Sequence, residues 1–242
     1  MNKNREFLNL PKSKEVDGVK IPYMSYSQYS SFNETSDEFR YQMILNYIFG
    51  IKMVSRFEDY AVYGGECGEY IETQGEKRGE MLTDADCAIL DKVMKDFPKN
   101  SEYEREVWID RGNYFILGFE DRWEPIGKAS CDVEDFKTGN AEKKRAHYAS
   151  KNYGQTVLYG FAEESKGIKV NDCYVTLLDR RGNPMSDTNP TRLALTGKIE
   201  KIPTPYTKER AEEVITSMDK TAVKLASLKT TYDKLKTLTF QI

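Results

Sequence analysis

The stretch that most constrains this 242-residue chain lies in its middle. EREVWID (104–110), the turn RGN (111–113) and YFILGFEDRW (114–123) read as two strands of a hairpin. A third strand is predicted at Ala129 to Phe136, ended by Lys137-Thr138-Gly139-Asn140. Helical spacing then returns from Tyr153 to Glu164 through Val157, Leu158 and Phe161. Another strand near Cys173 to Leu178 is followed by the turn DRRGNP, with Leu193 to Ile202 able to pair back against it. The pattern predicts an α/β fold, a central mixed β-sheet flanked by helices.

Helical patterns bracket these strands. Residues 1–24 carry charge, Pro11, Gly18 and Pro22 without sustained periodicity, and are expected to form an arm or loop leading into a single domain over 25–242. Ser25 or Ser27 can cap a helix bearing Tyr29, Phe32, Phe39, Met43, Ile44 and Tyr47, with an interruption at Asn33 to Ser36. Tyr63, Gly64 and Gly65 are expected to break the chain before a helical Glu66–Gln74, and Asp84–Asp96 repeats the helical pattern. From Thr207 onward Val214, Met218, Ala222, Leu225, Leu228, Tyr232 and Leu235 recur at steps of three and four, one stripe of a long helix over 207–236. That helix either packs on its own domain or forms a homo-oligomer contact.

Composition excludes several chemistries. With 36 Lys+Arg against 39 Asp+Glu the net charge is −3, so no bulk basic field advertises nucleic acid and any DNA contact must be local. The longest apolar run, Met43 to Ile51, is far short of the roughly 20 residues a membrane helix needs. The opening MNKNREFLNLPKSKE has no apolar signal segment, so a cytoplasmic location is expected, in a bacterial cell or a phage-infected host. Cys67, Cys87, Cys131 and Cys173 form no C-x-x-C pair, and are expected to be reduced and mostly buried. His147 is the only histidine, and no G-x-S-x-G elbow accompanies it. Hydrolytic chemistry would therefore rest on carboxylates and lysine, which suit Mg2+ or Mn2+ rather than zinc.

GFEDRW (118–123) and VEDFKTG (133–139) supply such a set. Residues i and i+2 of a strand point the same way, so Asp121 on one strand and Asp135 with Lys137 on the next can share a face. Asp135 stands fourteen positions after Asp121, and Gln155-x-x-x-Tyr159 follows on a helix. G-x-x-D, then D-x-K-T-G, then Q-x-x-x-Y resembles the PD-(D/E)XK nuclease superfamily, specifically its RecB-like and phage-exonuclease-like branch. SYSQYSSF (25–32) is similar to the S-x-S-x-hydrophobic start of that branch, and YGGECGEYIE (63–72) to its glycine-led helix.

The resemblance implies a restriction-endonuclease-like core and a metal-dependent DNA nuclease, most plausibly an exonuclease or end-processing enzyme of phage-like recombination, replication or repair. Asp121, Asp135, Lys137 and Glu69 would be catalytic. Asp121, Asp135, Glu69 and the backbone carbonyl of Phe136 would hold Mg2+ or Mn2+, while Gln155 and Tyr159 would contact DNA. The glycine-led motif departs from the branch: with Gly64 in the lead, Gly68 stands where a histidine is usual, and with Gly65 in the lead Glu69 takes the place. Glu69 is favoured, with Glu72 one helical turn later as the alternative. The cysteines that hold an iron–sulphur cluster in some members have no counterpart here, so no cluster is expected. Lys143, Lys144, Arg145, His147 and Lys151 form a local basic stretch that either meets phosphates or is a solvated loop. A recombination or replication protein is the implied partner. Two rivals stay open: a non-catalytic DNA-binding or assembly protein that keeps the fold, and a sequence-specific endonuclease.

Overall fold

A computed structural model describes residues 5–33, 36–52 and 58–239. Its strands are β1 (Lys12–Val16), β2 (Val19–Met24), β3 (Glu102–Asp110), β4 (Phe115–Ile126), β5 (Ser130–Gly139), β6 (Lys169–Arg181) and β7 (Ala194–Pro203). The helices are α1 (Tyr26–Asn33), α2 (Asp37–Tyr47), α3 (Glu58–Glu72), α4 (Asp84–Lys95), α5 (Ala141–Tyr148), α6 (Gln155–Ser165) and α7 (Lys208–Thr239). The strands form one seven-stranded sheet in the order β1-β2-β4-β5-β6-β7, with β3 also paired to β4. It is mixed: β2 runs parallel to β4 and β5 to β6, while the β1–β2, β4–β5 and β6–β7 pairs are antiparallel. The α/β sheet flanked by helices expected above is therefore the observed architecture.

The chain organises into two units, one of Met1–Met53, Glu106–Gly118 and Ala211–Ile242, the other of Val54–Arg105 and Phe119–Arg210. In the first, the segment expected to be a lead-in arm is instead a β-hairpin in register from Lys12↔Tyr23 to Val16↔Val19. Its cause is Asp17-Gly18, whose φ values of 51° and 75° are those of a two-residue turn that matches the twist of its flanking strands. In the same unit α1 meets α7, with Tyr29 donating to the Ser217 hydroxyl (3.0 Å) and Asn33 to that of Thr221 (2.7 Å). The apolar stripe of α7 is buried at Val214, Met218, Ala222 and Leu225 and exposed at Leu228 and Leu235.

In the second unit α3 and α4 cover the sheet. Tyr63, Cys67 and Ile71 of α3 and Leu90 and Val93 of α4 pack with Phe136, Leu178 and Leu195 of the strands. Truncating a residue such as Leu90 to alanine would cost about 2–5 kcal/mol. Thr83 caps α4 through a reciprocal box with Asp86, an arrangement that satisfies two end donors. The expected break at Gly64-Gly65 is absent and α3 runs through both glycines. Gly64 serves packing instead: a Cβ there would stand 2.9 Å from the Thr138 hydroxyl of β5, so the helix can lie this close only without one. β6 is buried continuously from Cys173 to Leu178, as befits a strand covered on both faces, and α6 packs on it and on β5. β5 continues through Lys137, Thr138 and Gly139, and the basic stretch after it is helical in α5, where Asn140 caps by accepting from the Lys143 amide (3.1 Å). All four cysteines are buried and free. No described helix is long and apolar enough to cross a membrane.

Candidate metal centre

The site is built where β4 leaves β5. Their ladder pairs Ile126↔Ser130 through Arg122↔Glu134, which sets Asp121 and Asp135 next in line on the two strands. There the Asp121 side chain takes over from the main chain, its Oδ2 accepting from the Phe136 amide at 2.7 Å. Lys137 Nζ lies 2.5 Å from Asp135 Oδ2 and 4.0 Å from Asp121 Oδ2, and also donates to the Phe136 carbonyl at 3.3 Å. The strand alternation thus brings Asp121, Asp135 and Lys137 together.

Asp135 is fully buried and held from three directions. Besides Lys137, the Gln155 amide donates to its Oδ1 (2.8 Å) and the Tyr153 hydroxyl to its Oδ2 (2.7 Å). Gln155 also donates to the Tyr159 hydroxyl at 2.8 Å. Gln155 and Tyr159 are therefore turned toward Asp135, with Tyr159 buried, rather than presented outward. Tyr153, which no motif flagged, belongs to the same network. Its signal in the sequence was its position two residues before Gln155, opening the turn into α6.

Of the two glutamates on the glycine-led helix, Glu72 is the one that lies beside Asp121. Glu69, the favoured choice, ion-pairs with Lys77 at 3.0 Å on a half-exposed surface and is not brought to the aspartates. Glu72, Glu104 and Asp121 each offer an oxygen, all within 4.8 Å of one another. Glu104 escaped sequence reasoning because it reaches the site from β3 through a left-handed backbone, φ 49°, that a non-glycine residue rarely adopts.

The electrostatics follow from four carboxylates around one ammonium. Burial raises the Asp121 carboxyl well above the ordinary range and Asp135 adds to the effect, against Lys137 and the Phe136 amide. Glu72 is pushed up to about 7 by burial and then by Glu104. Burial would lower the Lys137 ammonium, but Asp135 and then Asp121 overcome it and hold the group more firmly protonated than a free lysine. With those two carboxylates ionised, Lys137 is a cation paired to both.

This donor set fits a hard divalent cation. Crowded carboxylate oxygens are the hard ligands Mg2+ and Mn2+ take, a bound cation would relieve the upward push on Asp121 and Glu72, and the set contains no imidazole or thiolate. The Phe136 carbonyl stands beside them, engaged by Lys137.

No protein-family model matches the chain, and no curated protein does. Among solved structures, one described as "Putative exonuclease" from Eubacterium rectale aligns over 87% of this chain and 82% of its own, with a TM-score of 0.48 and 11% identity.

Proposed function

We propose that the protein is a Mg2+- or Mn2+-dependent deoxyribonuclease of the PD-(D/E)XK kind, acting on DNA ends in phage-like recombination, replication or repair in the bacterial or infected-cell cytoplasm. The observation that carries the reading is the Lys137 ammonium held between Asp135 and Asp121, with Glu72 and Glu104 alongside. Resemblance to the G-x-x-D, D-x-K-T-G and Q-x-x-x-Y motifs supports the same class. Asp121, Asp135 and Glu72 would hold the ion, with Glu104 and the Phe136 carbonyl as further oxygens. When bound, such an ion lowers the pKa of a water and offsets charge that builds on a phosphodiester.

The chain's own residues do the rest. Tyr153 and Gln155 fix the Asp135 carboxylate, and Gln155 is itself fixed by Tyr159, so the acid is preorganised rather than recruited. Lys137, kept charged, orients the attacking water and meets the negative charge of the phosphate as it becomes five-coordinate.

The test is a cleavage assay with Mg2+ or Mn2+ on linear and on circular DNA, using the wild type and Lys137→Ala. Linear DNA should be degraded and circular DNA spared, with activity lost in the variant while its circular dichroism spectrum stays that of the wild type, even though loss of the partner of buried Asp135 lowers its melting temperature. Full activity in the variant would sink the mechanism. Cutting of circular DNA would make the protein an endonuclease, and metal-independent binding without cleavage would make it a non-catalytic binding protein.

A further inference from the structure

Arg180 stands apart from the other arginines the fold encloses. Arg5, Arg105, Arg111 and Arg122 each ion-pair with a carboxylate, and Arg210 donates to the carbonyls of Pro205, Ser150 and Tyr153. Arg180, half-buried on β6, meets no carboxylate among the described residues, and its Nε is buried without a hydrogen-bond partner. Its guanidinium lies over the Tyr60 ring of α3, 4.3 Å from the centroid, which fixes its plane but satisfies none of its N–H groups.

Its position relates it to the site. β5 and β6 are parallel, pairing Lys137 with Leu177 and Gly139 with Asp179, so Lys137 and Arg180 lie toward the same carboxyl end of adjacent strands. Arg180 lies three strand steps beyond Leu177, about 10 Å at roughly 3.3 Å per residue, and the odd step, with a ladder irregularity between Leu178 and Arg180, turns it to the α3 face of the sheet where Tyr60 lies. Burial raises the Tyr148 phenol, and Lys137, Asp135 and then Arg180 are the charges that act on it, so its hydroxyl lies within the reach of both cations. Phosphates of one DNA strand recur about every 3.4 Å along the helix axis, so a strand engaged at Lys137 that passes over the carboxyl edge of the sheet brings phosphates to Arg180.

From this geometry we infer that Arg180, stacked on Tyr60, is a binding subsite for an internal phosphodiester of the DNA strand, a few nucleotides from the one at Lys137. A planar guanidinium with its fork unspent suits two phosphate oxygens, and the stack presets its orientation. Desolvation lowers the Arg180 pKa, as it does for a cation enclosed without a countercharge. The inference rests on the nuclease reading for its ligand. It is separable from that reading because binding is measured without metal.

The experiment is a salt titration of binding to labelled single- and double-stranded oligonucleotides, 5′-phosphorylated and 5′-hydroxyl, in EDTA. Arg180→Gln, which keeps a flat group over Tyr60 and removes the charge, should bind about tenfold more weakly, and the slope of log affinity against log salt should shrink by about one contact, 0.9 on duplex or 0.7 on single strand. The loss should be equal with and without a 5′-phosphate. Arg180→Lys should keep the slope and lose affinity, and it carries the test alone if the glutamine variant does not fold. Wild-type affinity and slope in the variants overturn the subsite while leaving cleavage unaffected, and a loss confined to 5′-phosphorylated ends overturns its assignment to an internal phosphodiester. No DNA binding by the wild type overturns both proposals; a lost contact without cleavage by the wild type overturns only the nuclease reading.

Discussion

Arg122 and Glu134 oppose each other across the β4–β5 ladder as a buried ion pair, each one residue from an aspartate of the site. Glu124 joins Arg122 at 2.6 Å, Tyr174 accepts from it at 2.5 Å, and Thr176 donates to Glu134. Side chains alternate with a period of two, so a slip of one residue between these strands would send Asp121 and Asp135 to opposite faces. The pair penalises that slip, because it would leave a guanidinium and a carboxylate buried without each other.

Glu134→Ala should therefore destabilise the fold by about 3–5 kcal/mol, nearer the lower figure because Glu124 stays with Arg122. Urea unfolding measures it. A midpoint equal to the wild type's would show that the pair contributes nothing to register.

Glu72→Gln should weaken Mn2+ binding and cleavage by orders of magnitude, whereas Glu69→Gln, which loses only a half-exposed pair with Lys77, should behave as the wild type. Calorimetric Mn2+ titration of both variants reads this without reference to activity. The reverse ranking would restore Glu69 as the ligand.

Glu120, fully buried beside Asp121, supplies a pH prediction. Neither of its oxygens has a hydrogen-bond partner among the described residues, and Arg105 Nη1 lies 3.7 Å away. Burial, then Glu163, pushes its carboxyl up to about 8. An unfolded glutamate titrates near ~4.3, so between that pH and about 8 the folded state binds more protons, and stability falls as pH rises through the interval. Glu120→Gln cannot ionise. Its thermal midpoint relative to the wild type should climb from pH 5 to pH 8, and parallel curves for the two proteins would remove Glu120 from the pH dependence.

Local chemistry made much of this readable in sequence. D-x-K on a strand fixed which side chains share a face, and the stripe of α7 announced its helix. The β1–β2 hairpin was equally local, since Asp17-Gly18 is a strong turn signal, but the charged surroundings without periodicity outweighed it. Asn140 as a helix cap was overlooked in the same way. Other features depend on contacts no short window contains. Gly64 looks like a helix breaker until Thr138 is seen against it, and the choice between Glu69 and Glu72 turns on how α3 is rotated over the sheet. Glu104 is reached only through an unusual backbone, and the inward turn of Gln155 and Tyr159 follows from burial that spacing does not record.

The Asp121 carboxylate that replaces a main-chain acceptor for the Phe136 amide has one further consequence. One of its two teeth is already spent on the backbone, and both oxygens of Asp135 are likewise engaged. Each oxygen keeps a lone pair for an ion, but the bonds already made fix the two carboxylate planes, so Asp121 and Asp135 would present single oxygens rather than turn to chelate. Single-toothed ligands suit a small ion that insists on octahedral order and keeps part of its water, and disfavour a larger one that gathers six to eight oxygens by gripping carboxylates in pairs. In the nuclease proposed above, a preference for Mg2+ or Mn2+ over Ca2+ would in this way be set at a strand junction.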